Sequence, residues 1–175
     1  MTDEDAAFQV GPVVLAAHLA QSSLPALSEV EFAQTMCVNA FQRWIVNCAA
    51  AAGMPGMTPL EVQVMHLVHH RDRPKTQAQV CLLLNIEDTH LVSYAIKKLT
   101  AQGLVQSFRR GKEKAVVATP EGAAFCARYA GVREALLLAN CHDLGFTPEE
   151  MSAMARLIRV LSGAYDQGAR AAASL

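Results

Sequence analysis

Three groups of side chains in this sequence have the types and spacing to do chemistry: a histidine cluster, a thiol early in the chain, and a run of cations in its middle. His66 and His70 are spaced i, i+4, with His69 between them, so on a helix two imidazoles share one face and could chelate a metal. Apart from Asp72, no nearby carboxylate or thiol completes a ligand set. The plainer reading is polar surface at a helix end, where a cationic imidazole suits the C-terminal dipole, and no metal or other cofactor is expected. Around Cys37, the residues Gln34, Thr35, Met36 and Val38 supply no cation to activate a thiol, so it reads as a core or interface cysteine.

The cations carry the stronger signal. All five lysines (Lys75, Lys97, Lys98, Lys112, Lys114) fall between residues 71 and 114, together with Arg71, Arg73, Arg109 and Arg110. Against these nine stand four acids (Asp72, Glu87, Asp88, Glu113), a local balance of +5, although the whole chain has 15 Lys plus Arg and 16 Asp plus Glu. The remainder therefore carries −6. A basic segment in an acidic frame is the charge pattern of a domain that docks on a polyanion. Enzyme chemistry is not expected: there is no glycine-rich phosphate loop, nucleophile elbow or His-Glu-x-x-His, and the carboxylates sit mainly at helix starts.

The 175 residues, 52% apolar and 18% charged, are enough for one domain with a buried core. Five cysteines, odd in number and without a C-x-x-C pair, suit reduced thiols in a cytosolic core. Met1-Thr2-Asp3-Glu4-Asp5 lacks the positive region of a secretory signal, and the apolar run over 13–20 is too short for a bilayer. The expectation is a cytoplasmic protein with no membrane partner.

Ser or Thr followed three residues later by Glu or Gln marks helix starts, because the two side chains satisfy backbone N–H groups left without partners in the first turn. Such pairs predict helices from Ser28 to about Ala52, from Thr58 to Arg73-Pro74, from Thr76 to about Leu84, and from Thr147 onward. Leu60, Val64, Leu67 and Val68 form the apolar stripe of the second of these. Asp88 or Thr89 can cap a further helix, with Val92, Ala95, Ile96 and Leu99 facing one way and Gly103 closing it. Two β-like runs, 104–109 and 115–118, flank the turn Arg110-Gly111-Lys112 as a hairpin. Thr119-Pro120-Glu121 opens a helix to about Cys141, a short helix is expected within 6–22, and Ala169–Ala173 is expected to fray.

The order helix, short helix, turn, helix, hairpin over 58–118 is the layout of a winged helix-turn-helix: a mainly α fold with a small β-hairpin wing (α+β). Residues 1–57 and 119–175 would be terminal helices of the same single domain. In this layout the fourth helix is the recognition helix, turning Thr89, His90, Ser93, Tyr94 and Lys97 toward a major groove of double-stranded DNA. Lys98 would flank that face toward the phosphates, as would Lys75. Arg109, Arg110, Lys112 and Lys114 would meet the backbone or minor groove, and Thr76 with Gln77 would present a helix N-terminus to a phosphate. On the last helix Met151, Met154, Ile158, Leu161 and Tyr165, spaced 3, 4, 3, 4, make a narrow apolar seam suited either to a partner helix or to the chain's own core. The competing reading of the whole is a winged-helix interaction or assembly module without specific DNA binding.

Leu99-Thr100-Ala101-Gln102-Gly103-Leu104-Val105, followed fourteen residues later by Thr119-Pro120-Glu121-Gly122, resembles the MarR family of bacterial transcription regulators over roughly residues 29–165. The resemblance implies an obligate homodimer built from the terminal helices, here with Phe41, Ile45, Met151, Met154, Ile158, Leu161 and Tyr165 at the interface. It also implies a palindromic operator, usually repression, and in many members release by a small anionic aromatic effector. Some members sense zinc or peroxide. The sequence departs from the family at the wing, where the Asp-x-Arg motif falls on Arg110-Gly111-Lys112, and at Tyr94, where a basic residue is frequent.

Overall fold

Proline and capping side chains set most of the helix starts in the computed structural model, which describes residues 11–111 and 113–175, with backbone alone for Asp72 and Arg110. It divides into two compact units, the first ending at Tyr129 and the second spanning Ala130–Leu175.

In the first unit, α1 (Ala17–Ala20) is a single turn and α2 (Pro25–Ala51) a long helix. Of the helix expected within 6–22, only this turn falls among the described residues; positions 1–10 lie outside them. α2 begins a turn earlier than Ser28, because Pro25 supplies a helical φ at the first position without needing a capping side chain. Ser28 is buried instead, and its hydroxyl donates to the Leu19 carbonyl at 2.8 Å, tying α1 to α2. Ala52 and Gly53, the latter at φ +92°, end α2 as expected.

α3 (Pro59–His69) opens with the full capping box: Thr58 accepts from the Glu61 amide, and Glu61 accepts from the Thr58 amide. Val62, Val64, Met65 and Val68 are its buried apolar positions, while Leu60 and Leu67 are only half-buried. A 3₁₀ turn (His70–Asp72) leads into β1 (Lys75–Thr76), a two-residue strand. α4 (Gln77–Leu84) repeats the capping box with Thr76 and Gln79 and ends on Asn85 in the left-handed region. α5 (Thr89–Ala101) is capped by Asp88, which accepts from the His90 amide at 2.9 Å. Its buried stripe is Val92, Ala95, Ile96 and Leu99.

β2 (Val105–Arg110) and β3 (Glu113–Ala118) form the hairpin, each extended toward the tip relative to the expected runs. Arg110 pairs with Glu113, which leaves a two-residue turn with Gly111 at φ +65°, the positive value that such hairpin turns demand. β3 also pairs antiparallel with β1, Lys75 opposite Val116 and Thr76 opposite Ala115, so the sheet order is β1-β3-β2. β1 was not foreseen.

α6 (Pro120–Arg133) starts where Thr119 accepts from the Gly122 amide and donates to the Gly103 carbonyl at 2.6 Å. It closes the core with Phe125 and Tyr129, and Arg128 donates to the Ala52 carbonyl at the end of α2.

In the second unit a π-helical stretch (Glu134–Leu138) leads to α7 (Ala139–His142). The helix foreseen to about Cys141 is thus present but widened in its middle. α8 (Pro148–Ala172) has the Thr147–Glu150 capping box and stays helical through all but the last of the residues 169–173 expected to fray.

Candidate nucleic-acid interface

The outward face of α5 follows from its inward one. With Val92, Ala95, Ile96 and Leu99 buried, the 3.6-residue period turns His90, Tyr94 and Lys97 to solvent, with Ser93 half-buried at the edge. Thr89 is exposed at the helix start. Its carbonyl accepts from the Gln77 side-chain Nε2 at 2.8 Å, which joins α4 to the first turn of α5. Thr76 keeps its hydroxyl in the capping box, so its contribution to any phosphate is the N-terminal amide end of α4.

Between α5 and β3 runs a groove of about 190 Å³ lined by Gln77, Ser93, Ile96, Lys97, Thr100, Lys114 and Val116. Polar donors from α4, α5 and the wing converge on it. Arg109 and Lys114 pair across the hairpin, and both side chains are exposed. The Arg110 side chain and Lys112, both named from the sequence as wing contacts, lie outside the described residues.

Two expected phosphate contacts turn inward instead. Lys98 places its ammonium 3.1 Å from Glu61 and donates to the Gly56 carbonyl at 3.3 Å. The Glu61 side chain is 2% exposed, so a buried carboxylate at the start of α3 draws this cation inward, away from the outer face of α5. Lys75 is buried, with its ammonium donating to the carbonyls of His70 (2.8 Å), Arg73 (3.2 Å) and Val68 (3.5 Å). It caps the C-terminal end of α3, where carbonyls lack helical partners. Of the cations named for the interface, those that remain outward among the described residues are Lys97, Arg109 and Lys114.

The other sequence-derived sites separate in the same way. His66 is packed on Tyr129 (ring centroids 4.4 Å apart, edge-on) and Phe125 (6.2 Å), rather than forming polar surface. Burial, with His69 adding a smaller effect, holds its pKa below the usual 6.5. No group of three or more metal-ligating side chains occurs among the described residues. Cys48, Cys81 and Cys126 are buried, and burial pushes the Cys126 thiol up to about 11; Cys37 is exposed, not a core thiol. Of the residues named for dimerisation, Phe41, Met151, Met154 and Ile158 are exposed, and Leu161 and Tyr165 half-buried. Ile45 is 3% exposed, buried within its own chain.

The family model described as a winged helix DNA-binding domain matches residues 57–122, from the residue before the α3 cap to the first turn of α6. No curated protein matches the sequence. Solved structures do match. A MarR family regulator from Neisseria meningitidis is 15% identical, covering 82% of this chain and 95% of its own, with a TM-score of 0.63. A MarR family transcriptional regulator from Silicibacter pomeroyi is 18% identical over 80% and 92%, with 0.62. A mutant MarR from E. coli, complexed with operator DNA, is 14% identical over 80% and 98%, with 0.63.

The chain has a MarR-type winged-helix fold. At these identities the likeness is one of fold, and it extends beyond the winged helix into the flanking helices, since about four fifths of the chain is covered. Within the MarR-type frame, α4 and α5 are the helix-turn-helix and β2–β3 the wing. Sequence reasoning found every one of these elements. It missed the Lys98–Glu61 and Lys75–carbonyl arrangements, and the one available signal was that Glu61 already had a role in a capping box.

Proposed function

We propose that this chain is a sequence-specific transcription regulator that binds double-stranded DNA as a homodimer, two copies of α5 reading the halves of a pseudo-palindromic operator. The observation that carries the reading is the groove between α5 and the wing, where Ser93, Lys97, Thr100 and Lys114 converge beside the exposed His90 and Tyr94. Hydroxyl, imidazole and ammonium donors suit base edges and phosphates in a major groove. The E. coli MarR mutant of like fold was solved with operator DNA, which supports the same use of the surface here. Exposed apolar side chains on α8 (Met151, Met154, Ile158) and Phe41 on α2 support self-association. The output in this reading is repression, relieved by a small aromatic or anionic effector. No helix among the described residues is long and apolar enough to cross a membrane, and the proposed site of action is the cytoplasm.

The test is selection of bound fragments from genomic DNA by the purified protein, followed by titration at several salt concentrations. A recovered palindrome whose affinity falls steeply with salt is the expected result. If no fragment is enriched and no duplex binds in a salt-dependent way, the winged helix is an interaction or assembly module instead.

A further inference from the structure

The outer face of α5 has two chemically different edges. The wing-side edge is polar: Ser93, Lys97 and Thr100 recur at i, i+4 and i+7 and line the groove with Gln77 and Lys114. The opposite edge is apolar. Leu91 is 53% exposed and Tyr94 68% exposed, and their spacing of three sets them side by side across one turn. Farther along that edge stands Lys98, whose ammonium is committed to Glu61 and the Gly56 carbonyl. Lys98 therefore offers no charge to a phosphate from the apolar edge.

An exposed leucine beside an exposed tyrosine has no role in α5's own packing, which Val92, Ala95, Ile96 and Leu99 already complete. In a major groove the apolar group on offer is the C5-methyl of thymine. Lys97, next in sequence to the buried Ile96, would hold the helix against the backbone while the two edges face bases on either side. We infer that Leu91 and Tyr94 are specificity-determining residues that read thymine methyls, so that each half-site carries thymine under the first two turns of α5. This inference rests on the proposed DNA-binding role of α5. DNA is favoured over a protein partner as the occupant because the other edge of the same helix carries the cationic groove, which suits a polyanion.

The experiment uses the full-length protein and duplexes it selects from a random-sequence pool, resynthesised with deoxyuridine in place of thymidine one position at a time. The exchange deletes one methyl and leaves the hydrogen-bonding pattern intact. Affinity should fall about fourfold at each contacted position, the factor for one methyl group withdrawn from water. Leu91→Ala and Tyr94→Ala should bind the thymine and uracil duplexes alike at one position each. Ser93→Ala, weaker overall, should keep the discrimination. Equal binding of thymine and uracil duplexes by the wild type would overturn the inference and leave DNA binding intact, as would undiminished discrimination in both variants. A pool that yields no preferred sequence and no salt-dependent binding would overturn the DNA-binding proposal itself.

Discussion

Replacing Lys98 with methionine should cost stability and leave the phosphate contacts alone, whereas the same change at its neighbour Lys97 should do the reverse. The ammonium of Lys98 is the countercharge of Glu61, whose side chain is 2% exposed against 35% for Lys98. Methionine keeps the length of the stem and deletes the charge. Glu61 would retain the hydrogen bond from the Thr58 amide at 3.1 Å but would have no cation. Breaking a fully buried pair costs about 3–5 kcal/mol and an exposed one about 0–1, so a pair with one buried and one partly exposed partner should cost about 2 kcal/mol. For a chain of this length that is a fall in Tm of about 4–8 °C.

Urea unfolding followed by circular dichroism, at one fixed protein concentration because a dimer's stability depends on it, reads the effect directly. Adding Glu61→Gln to Lys98→Met should recover part of the loss, since the buried charge goes with its partner. Lys97→Met should stay within about 0.5 kcal/mol of wild type. Its signature lies in DNA binding, where the slope of log affinity against log salt should flatten by about 0.9 for each phosphate the variant no longer neutralises. If Lys98→Met melts with the wild type, or flattens the salt slope as Lys97→Met does, Lys98 is a phosphate ligand after all.

Gly122→Ala should destabilise by about 1–3 kcal/mol, because a Cβ there runs into the Leu104 carbonyl and comes 2.8 Å from the Met65 methyl; thermal melting checks it, and an unchanged Tm would contradict the packing of α6 on the wing's base. His66 should make stability pH-dependent. Its folded pKa lies below 6.5, so the folded state binds fewer protons than the unfolded one; stability is full above pH 6.5 and declines as pH falls from there toward the folded pKa. The slope cannot exceed about 1.4 kcal/mol per pH unit for one proton, and His66→Leu should flatten the profile below about pH 6.5. A thiol reagent at about pH 8 should label exposed Cys37 well before Cys126, which is buried with a pKa of about 11; labelling of both at one rate would refute that order.

The legible parts of this fold are those fixed within a few residues. Thr58, Thr76 and Thr147 each carry their capping partner three positions on, and all three helices begin where those pairs stand. α2 hid its start because Leu24 provides no capping side chain, leaving Ser28 as a false signal one turn inside. β1 was illegible because two residues have no periodicity, and their strand exists only through Val116 and Ala115 on β3. The candidate site divides along the same line: the outward face of α5 follows from its own buried stripe, while the destination of an ammonium group does not follow from counting charge.

That last distinction changes what the basic segment means. Nine cations in 44 positions suggest a broad electrostatic field, yet Lys75 and Lys98 face inward, onto carbonyls and a buried carboxylate. Both hold the frame on which the outward groups depend. Lys75 closes the end of α3 next to β1, the strand that leads into the cap of α4; Lys98 ties the last turn of α5 to the start of α3. Loss of either cation would therefore weaken DNA binding through the orientation of α4 and α5, across all sequences and without a change in salt slope. Loss of Lys97 or Lys114 would change the slope itself. Two variants with equal affinity can thus report opposite causes, and the salt titration separates them where a single dissociation constant would not.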